Sequence, residues 1–368
     1  MSNSTFDPQN VNLDTADQAQ VVCYMELAGN DYNGMLGARI SSVFVILFVS
    51  TAFTFFPIIS VRVKRLKMPL YVYMFARYFG AGVIIATAFI HLLDPAYGEI
   101  GPNTCVGMTG NWAVYSWPPA IALVSVMFIF LLDFAAERYV EVKYGFSHTD
   151  MDTETLLTEG GAPSEGSPHA HAHTDDEGAI AASDSPEKNT TVTDVEALQE
   201  SINSYLFREQ IAAFLILEFG VMVHSVIIGL NLGVVGDEFK TLYPVLVFHQ
   251  SFEGLGIGAR MSAIPFPKKY NYLPWVLCAL YGLTTPISIA IGLGVRTTYA
   301  SNSYTANIVS GLLDSISAGI LIYTGLVELL ARDFLFNPRR TKDNKELTFM
   351  ICSLLLGAGI MALLGKWA

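Results

Sequence analysis

The chain has 368 residues, of which 52% are hydrophobic and only 15% charged, against roughly 25% charged in ordinary soluble domains. That balance excludes a water-soluble globular domain and gives no basic surface for nucleic acid. The apolar residues fall in blocks of about 20, enough to cross a hydrocarbon core about 30 Å thick, so the lipid bilayer is the expected surrounding. The net charge of −12 is largely local, because thirteen acidic residues and one lysine lie between Asp150 and Glu200.

In chain order, residues 1–38 form a polar tail rich in Asn, Asp and Gln. No basic segment runs directly into a short apolar one there, so no cleavable signal peptide is expected. Apolar spans follow at 40–61, 70–93, 118–136, 210–236, 242–263, 273–295, 306–330 and 347–367. They predict an all-α bundle of eight transmembrane helices with both termini on one side. The units are a tail (1–38), helices one to three (39–136), a long third connection (137–209) and helices four to eight (210–368).

Basic residues set the orientation, because Lys and Arg stay cytoplasmic. The first connection carries Arg62, Lys64, Arg65 and Lys67, and the fifth carries Lys268 and Lys269. The seventh carries Arg332, Arg339, Arg340, Lys342 and Lys345. The opposite face has only Arg39, Lys240, Arg296 and Lys366. Odd connections are therefore expected in the cytoplasm and both termini outside or in a lumen. Arg77, inside the second span near its cytoplasmic start, is expected to snorkel.

The third connection is poor in large apolar residues and reads as disordered. It contains His169, His171 and His173 in alternation, which suits metal capture or sensing on a flexible chain. Cys23 and Cys105 both fall on the expected outer side, where a disulfide between tail and second connection competes with free thiols or pairing between subunits. A homodimer is compatible with either. Cys278 and Cys352 lie within spans as packing residues. Pro244 and Pro286 are expected to kink their helices and free carbonyls.

The fourth and fifth spans carry the informative polar residues. His224 lies in one, and His249 and Glu253, four residues apart, share a face of the other. A carboxylate near mid-bilayer costs roughly 2.5–3.5 kcal/mol on insertion scales. Helical rise puts all three groups near mid-depth, and the short turn at Gly236-Asp237-Glu238 makes the helices antiparallel neighbours. Two imidazoles and a carboxylate that converge suit a divalent ion, zinc in particular. Asn231, two turns beyond His224 on the same face, lines the path or bonds across helices.

The sequences His224-Ser225-Val226-Ile227-Ile228-Gly229 and His249-Gln250-Ser251-Phe252-Glu253-Gly254, in this order and separation, resemble the signature of the Zrt/Irt-like (ZIP) metal transporters of the fungal and plant zinc–iron permease type. The resemblance covers the eight spans and leaves out the tails and the longest loop. It implies that His224, His249 and Glu253 are primary metal ligands, and that Gln250 and Ser225 fall where a second metal is held. Some members carry carboxylates at the positions of Ile228 and Thr285, and their absence here implies one principal site. It also implies alternating access by one group of helices sliding against another.

Two further layers of ionisable residues flank the centre. His91, Asp94 and Asp314 lie near the outer ends and Asp133, Glu137 and Glu328 near the cytoplasmic ends. They are candidate entrance and exit stations, with solvated or paired end residues as the alternative. Glu218 is assigned no role. The expected function is import of zinc toward the cytosol as transported substrate, with Fe2+ or Mn2+ as further cargo. An intramembrane zinc hydrolase and a metal-sensing receptor are the rivals, although no H-E-x-x-H pattern occurs. The outward tail and the import reading point to the plasma membrane. An internal membrane with a lumen-facing tail fits the same charge pattern.

Overall fold

The structure, a computed structural model, describes residues 11–12, 15–27, 32–63, 68–144, 192–337 and 340–367. Every regular element among them is helical. A short helix α1 (Gln18–Glu26) precedes α2 (Leu36–Arg62), and α3 (Leu70–Ile100) contains a π-helical stretch, Thr87–Leu93. Then come α4 (Trp117–Tyr144), α5 (Val192–Val234), α6 (Phe239–Ala263) and α7 (Leu273–Val295). Helix α8 (Tyr304–Phe336) turns π-helical over Thr324–Phe336, and α9 spans Asn344–Leu364.

Seven of the described helices are long and apolar enough to cross a membrane: α2, α3, α4, α5, α7, α8 and α9. The chain is thus a polytopic helical membrane protein. The expected span at 242–263 is present as the 25-residue helix α6, but it falls outside that set. Its apolar character is diluted by Lys240, His249, Gln250, Glu253 and Arg260 and by three glycines. The helix richest in polar groups is nevertheless enclosed, with His249, Gln250 and Glu253 at most 1% exposed.

The helices pack in a pattern that chain order does not reveal. Helix α2 lies along both α6 and α7, and α5 lies along α7. Helix α3 packs on α9 and α6, and α8 packs on α4, α5 and the outer part of α3. Consecutive α5 and α6 touch over only a short length, so they are not the closely packed pair that the short turn suggested. Small residues permit the close crossings. A Cβ on Gly80 would overlap the Cα of Gly256, and one on Gly82 would overlap the carbonyl of Leu354. Helix α3 is thereby held against both α6 and α9.

Pro286 removes one backbone donor inside α7, which orphans the carbonyl four residues earlier, Gly282. Ser50 Oγ on α2 donates to that oxygen at 3.0 Å. At the N-terminal end of α2, the fully buried Arg39 donates to the carbonyls of Leu232, Gly233 and Val235. A guanidinium there caps the C-terminus of α5 and complements its dipole. Arg77 pairs with Asp333 of α8 through several guanidinium–carboxylate hydrogen bonds, with a closest approach of 2.8 Å.

Candidate metal centre

The interior polar residues meet where α3, α5 and α6 converge. The ring centroids of His224 and His249 lie 5.4 Å apart, and those of His249 and His91 5.2 Å apart. The three imidazoles form a row with His249 in the middle. Glu253 Oε2 is 3.5 Å from His249 Nε2. All four side chains are at least nine-tenths buried. Both ring nitrogens of His224 and of His249 lack a hydrogen-bond partner, as does Glu253 Oε1. Unpaired polar atoms in a dry interior are costly, and here they face a common region.

His91 was expected at the entrance, one helix end away from the centre. It stands instead beside His249, with Nε2 3.2 Å from the Met361 carbonyl oxygen. The π-helical stretch Thr87–Leu93 carries it; such wide turns are frequent at functional sites. As placed, His91 and His224 each pair with His249 rather than gathering with it about one point. Among the described residues no group of three or more His, Cys, Asp or Glu side chains could enclose a metal ion.

Gln250 is spoken for. Its Nε2 donates to Thr285 Oγ1 at 2.8 Å, and its Oε1 accepts from Tyr281 Oη at 2.8 Å. Tyr281 Oη also lies 3.3 Å from Glu253 Oε2. A phenol has one proton to donate, so the nearer Gln250 oxygen takes the stronger bond. Tyr281 was missed at the sequence level. Its signal was a tyrosine deep in an apolar span, whose hydroxyl requires a partner. Ser225 is buried with an unpartnered Oγ. Asn231 is half-buried, seven residues beyond His224.

The outer layer divides. Asp94 is exposed. Asp314 is buried with Oδ1 unpartnered, and it interacts electrostatically with Glu99, whose Oε2 is also unpartnered. Glu99 was overlooked because it reads as an interfacial helix end. In the layer expected at the cytoplasmic ends, Asp133 accepts from Tyr323 Oη at 2.8 Å. Glu328 accepts from Arg332 at 2.7 Å and lies 3.9 Å from Arg260. It is a paired carboxylate under two guanidiniums in this conformation, the alternative to an open exit acceptor. Glu137 lies in α4 with its side chain outside the described residues, as are His169, His171 and His173. Cys23 and Cys105 are joined by a disulfide within the chain. Both carboxylate oxygens of Glu218 are buried and unpartnered.

Comparison with known proteins adds an independent line. The family described as ZIP Zinc transporter matches residues 36–365. A zinc-regulated transporter 1 from Saccharomyces cerevisiae is 58% identical over 378 residues, covering 99% of this chain and 97% of that protein. Another protein of that name, from Schizosaccharomyces pombe, is 40% identical, covering 100% of this chain and 93% of its own length. A zinc transporter 9 from Oryza sativa subsp. japonica is 32% identical, covering 96% of this chain and 95% of that protein. No solved structure matches.

Proposed function

The chain belongs to the ZIP zinc transporter family, and on that premise we propose that it carries zinc across a membrane toward the cytosol. Its relatives are named as zinc transporters, which favours transport over hydrolysis or sensing. We place it in the plasma membrane with eight crossings, α6 included, and both termini outside. Iron(II) and manganese(II) are secondary cargo, since imidazole and carboxylate donors accept them too.

The observation that carries this reading is the row of His91, His249 and His224 with Glu253 beside its middle member. Unpaired ring nitrogens and a free carboxylate oxygen supply the donors that a borderline divalent ion prefers. His224, His249 and Glu253 are the principal ligands, and a modest rotation of the imidazoles turns the row into a cradle. His91 hands the ion from the outer side to His249. Gln250, held by Thr285 and Tyr281, positions α6 against α7, which supports a single principal site. Glu99 and Asp314 collect the ion at the outer end.

Release requires the ligands to separate or gain protons and the Arg260–Glu328 contact to open. Arg260 on α6 is the guanidinium that reaches from the site-bearing helix to α8, so that contact closes the cytoplasmic side. The test is zinc entry into proteoliposomes containing the purified protein, beside Glu253→Ala and His224→Ala. Saturable entry that collapses in both variants, with their fold retained, supports transport through this site. Tight binding without flux under any gradient removes the transporter reading.

A further inference from the structure

A cavity of about 260 Å³ opens at the end of the bundle where α2 and α6 finish and α7 begins. Arg62, Ser262 and Asn271 supply its polar wall, Ile58, Met261 and Phe266 are on its apolar wall, and no acidic residue lines it. Arg62 is held in place. One guanidinium nitrogen donates to Asn271 Oδ1 at 3.0 Å, and Cζ lies 4.9 Å from the ring centroid of Trp275. That leaves the Asn271 amide nitrogen as a further donor. Lys268 and Lys269 are exposed in the short turn between two lining residues, Phe266 and Asn271. Helix α7 starts at the same place without a side-chain cap, and Pro274 of its first turn lies on the cavity wall. Its positive dipole end adds to the field of the three cations. Beside the cavity, Val61 and Trp275 are exposed on apolar faces of α2 and α7, which a bilayer covers.

We infer that this cavity seats the headgroup phosphate of an anionic phospholipid. Arg62 is the principal contact, because a guanidinium meets phosphate oxygens through paired, charge-assisted hydrogen bonds. Trp275 and Asn271 already fix its position, so little ordering remains to be done on binding. Lys268 and Lys269 add charge at the rim. The apolar wall selects a lipid over a free phosphate ion: Ile58 and Met261 accept the glycerol end, and the acyl chains continue along the exposed Val61 and Phe56 of α2. This end of the bundle also carries the basic residues expected to face the cytoplasm, whose leaflet holds the anionic lipids. A seated headgroup joins the ends of α2, α6 and α7, and α6 is the helix of His249 and Glu253. The inference needs only the bilayer and stands apart from the metal centre.

The test is native mass spectrometry of the full-length, delipidated protein titrated with dioleoyl phosphatidic acid, with dioleoyl phosphatidylcholine as the zwitterionic comparison. One phosphatidic acid should be retained at least about tenfold more tightly than phosphatidylcholine, and Arg62→Gln should weaken it by at least about tenfold. The exposed pair Lys268→Gln with Lys269→Gln should weaken it as well. Lys342→Gln with Lys345→Gln removes the same charge from another loop and should leave it unchanged. Ser262→Leu fills the cavity without altering charge and should also weaken binding. Equal retention of the two lipids overturns the site. Equal weakening by the two lysine pairs overturns it too, because general attraction would then explain the binding. So does binding indifferent to Ser262→Leu, which places the lipid outside the cavity. Displacement of the lipid by inorganic phosphate would make this a free-anion site and overturn the lipid assignment. If Arg62→Gln is not monodisperse on size exclusion, the lysine pairs and Ser262→Leu decide the matter.

Discussion

Ser50 Oγ donates to the Gly282 carbonyl, 3.0 Å away on a neighbouring helix, at the position that Pro286 strips of its helical donor. Its one proton is shared with the nearer Ile46 carbonyl of its own helix at 2.7 Å, and the share that reaches Gly282 offsets a backbone defect and ties α2 to α7. Ser50→Ala leaves that oxygen orphaned, at an expected cost of about 1–3 kcal/mol. Pro286→Ala restores an amide donor to the same oxygen. Thermal unfolding of purified protein should show a smaller loss for Ser50→Ala in the Pro286→Ala background than alone. Equal losses in both backgrounds would mean that the hydroxyl serves only its own helix, where it also approaches the Ile46 carbonyl at 2.7 Å.

Tyr281 links the two informative residues of α6 through a single hydroxyl. Tyr281→Phe keeps the ring that fills the core and removes the donor. The Gln250 oxygen and Glu253 then lose a common anchor, and α6 loses its set position against α7. Initial zinc entry should fall about tenfold, equivalent to about 1.4 kcal/mol, while the protein remains monodisperse on size exclusion. An unchanged rate would reduce Tyr281 to a packing residue.

Much of the centre was legible in the chain itself. The four-residue spacing of His249 and Glu253 is a local property, and helical rise predicts a depth similar to that of His224, whose ring centroid lies 5.4 Å from that of His249. His91 was not legible in this sense. Its neighbour is decided by how α3 crosses α6, which depends on the contact of Gly80 with Gly256 and on a π-helical stretch that composition does not announce. The pairing of Glu328 was open for the same reason, because Arg260 and Arg332 reach it from different helices. Helix α6 shows the opposite failure of a simple rule. The groups that give it chemistry also lower its hydropathy below that of its seven neighbours.

Arg77 and Asp333 join α3 to α8 with side chains only 28% and 12% exposed. Removing one partner leaves a mostly buried charge unpaired. Asp333→Arg or Arg77→Asp alone should each destabilise the protein, by less than the roughly 3–5 kcal/mol typical of a fully buried pair. The double exchange, Arg77→Asp with Asp333→Arg, should recover most of the unfolding temperature. Failure to recover would mean that the surrounding guanidiniums, Arg260 and Arg332, set the field rather than the pair.

Helix α1 has no buried residue of its own, yet it is held to the segment after α3 at two points. One is the Cys23–Cys105 disulfide, and the other is the Cys105 amide donating to Glu26 Oε2 at 2.7 Å. The bridge closes a loop with a sequence separation of 82, for which the chain-entropy account gives about 4–5 kcal/mol. Replacing both cysteines by serine should therefore lower the unfolding temperature. Zinc entry per folded molecule should be unchanged, because both residues lie outside the histidine row. Alkylation of denatured protein should modify two thiols without reductant, Cys278 and Cys352, and all four after reduction. A covalent dimer on a non-reducing gel, lost with Cys23→Ser, would instead place the bridge between subunits.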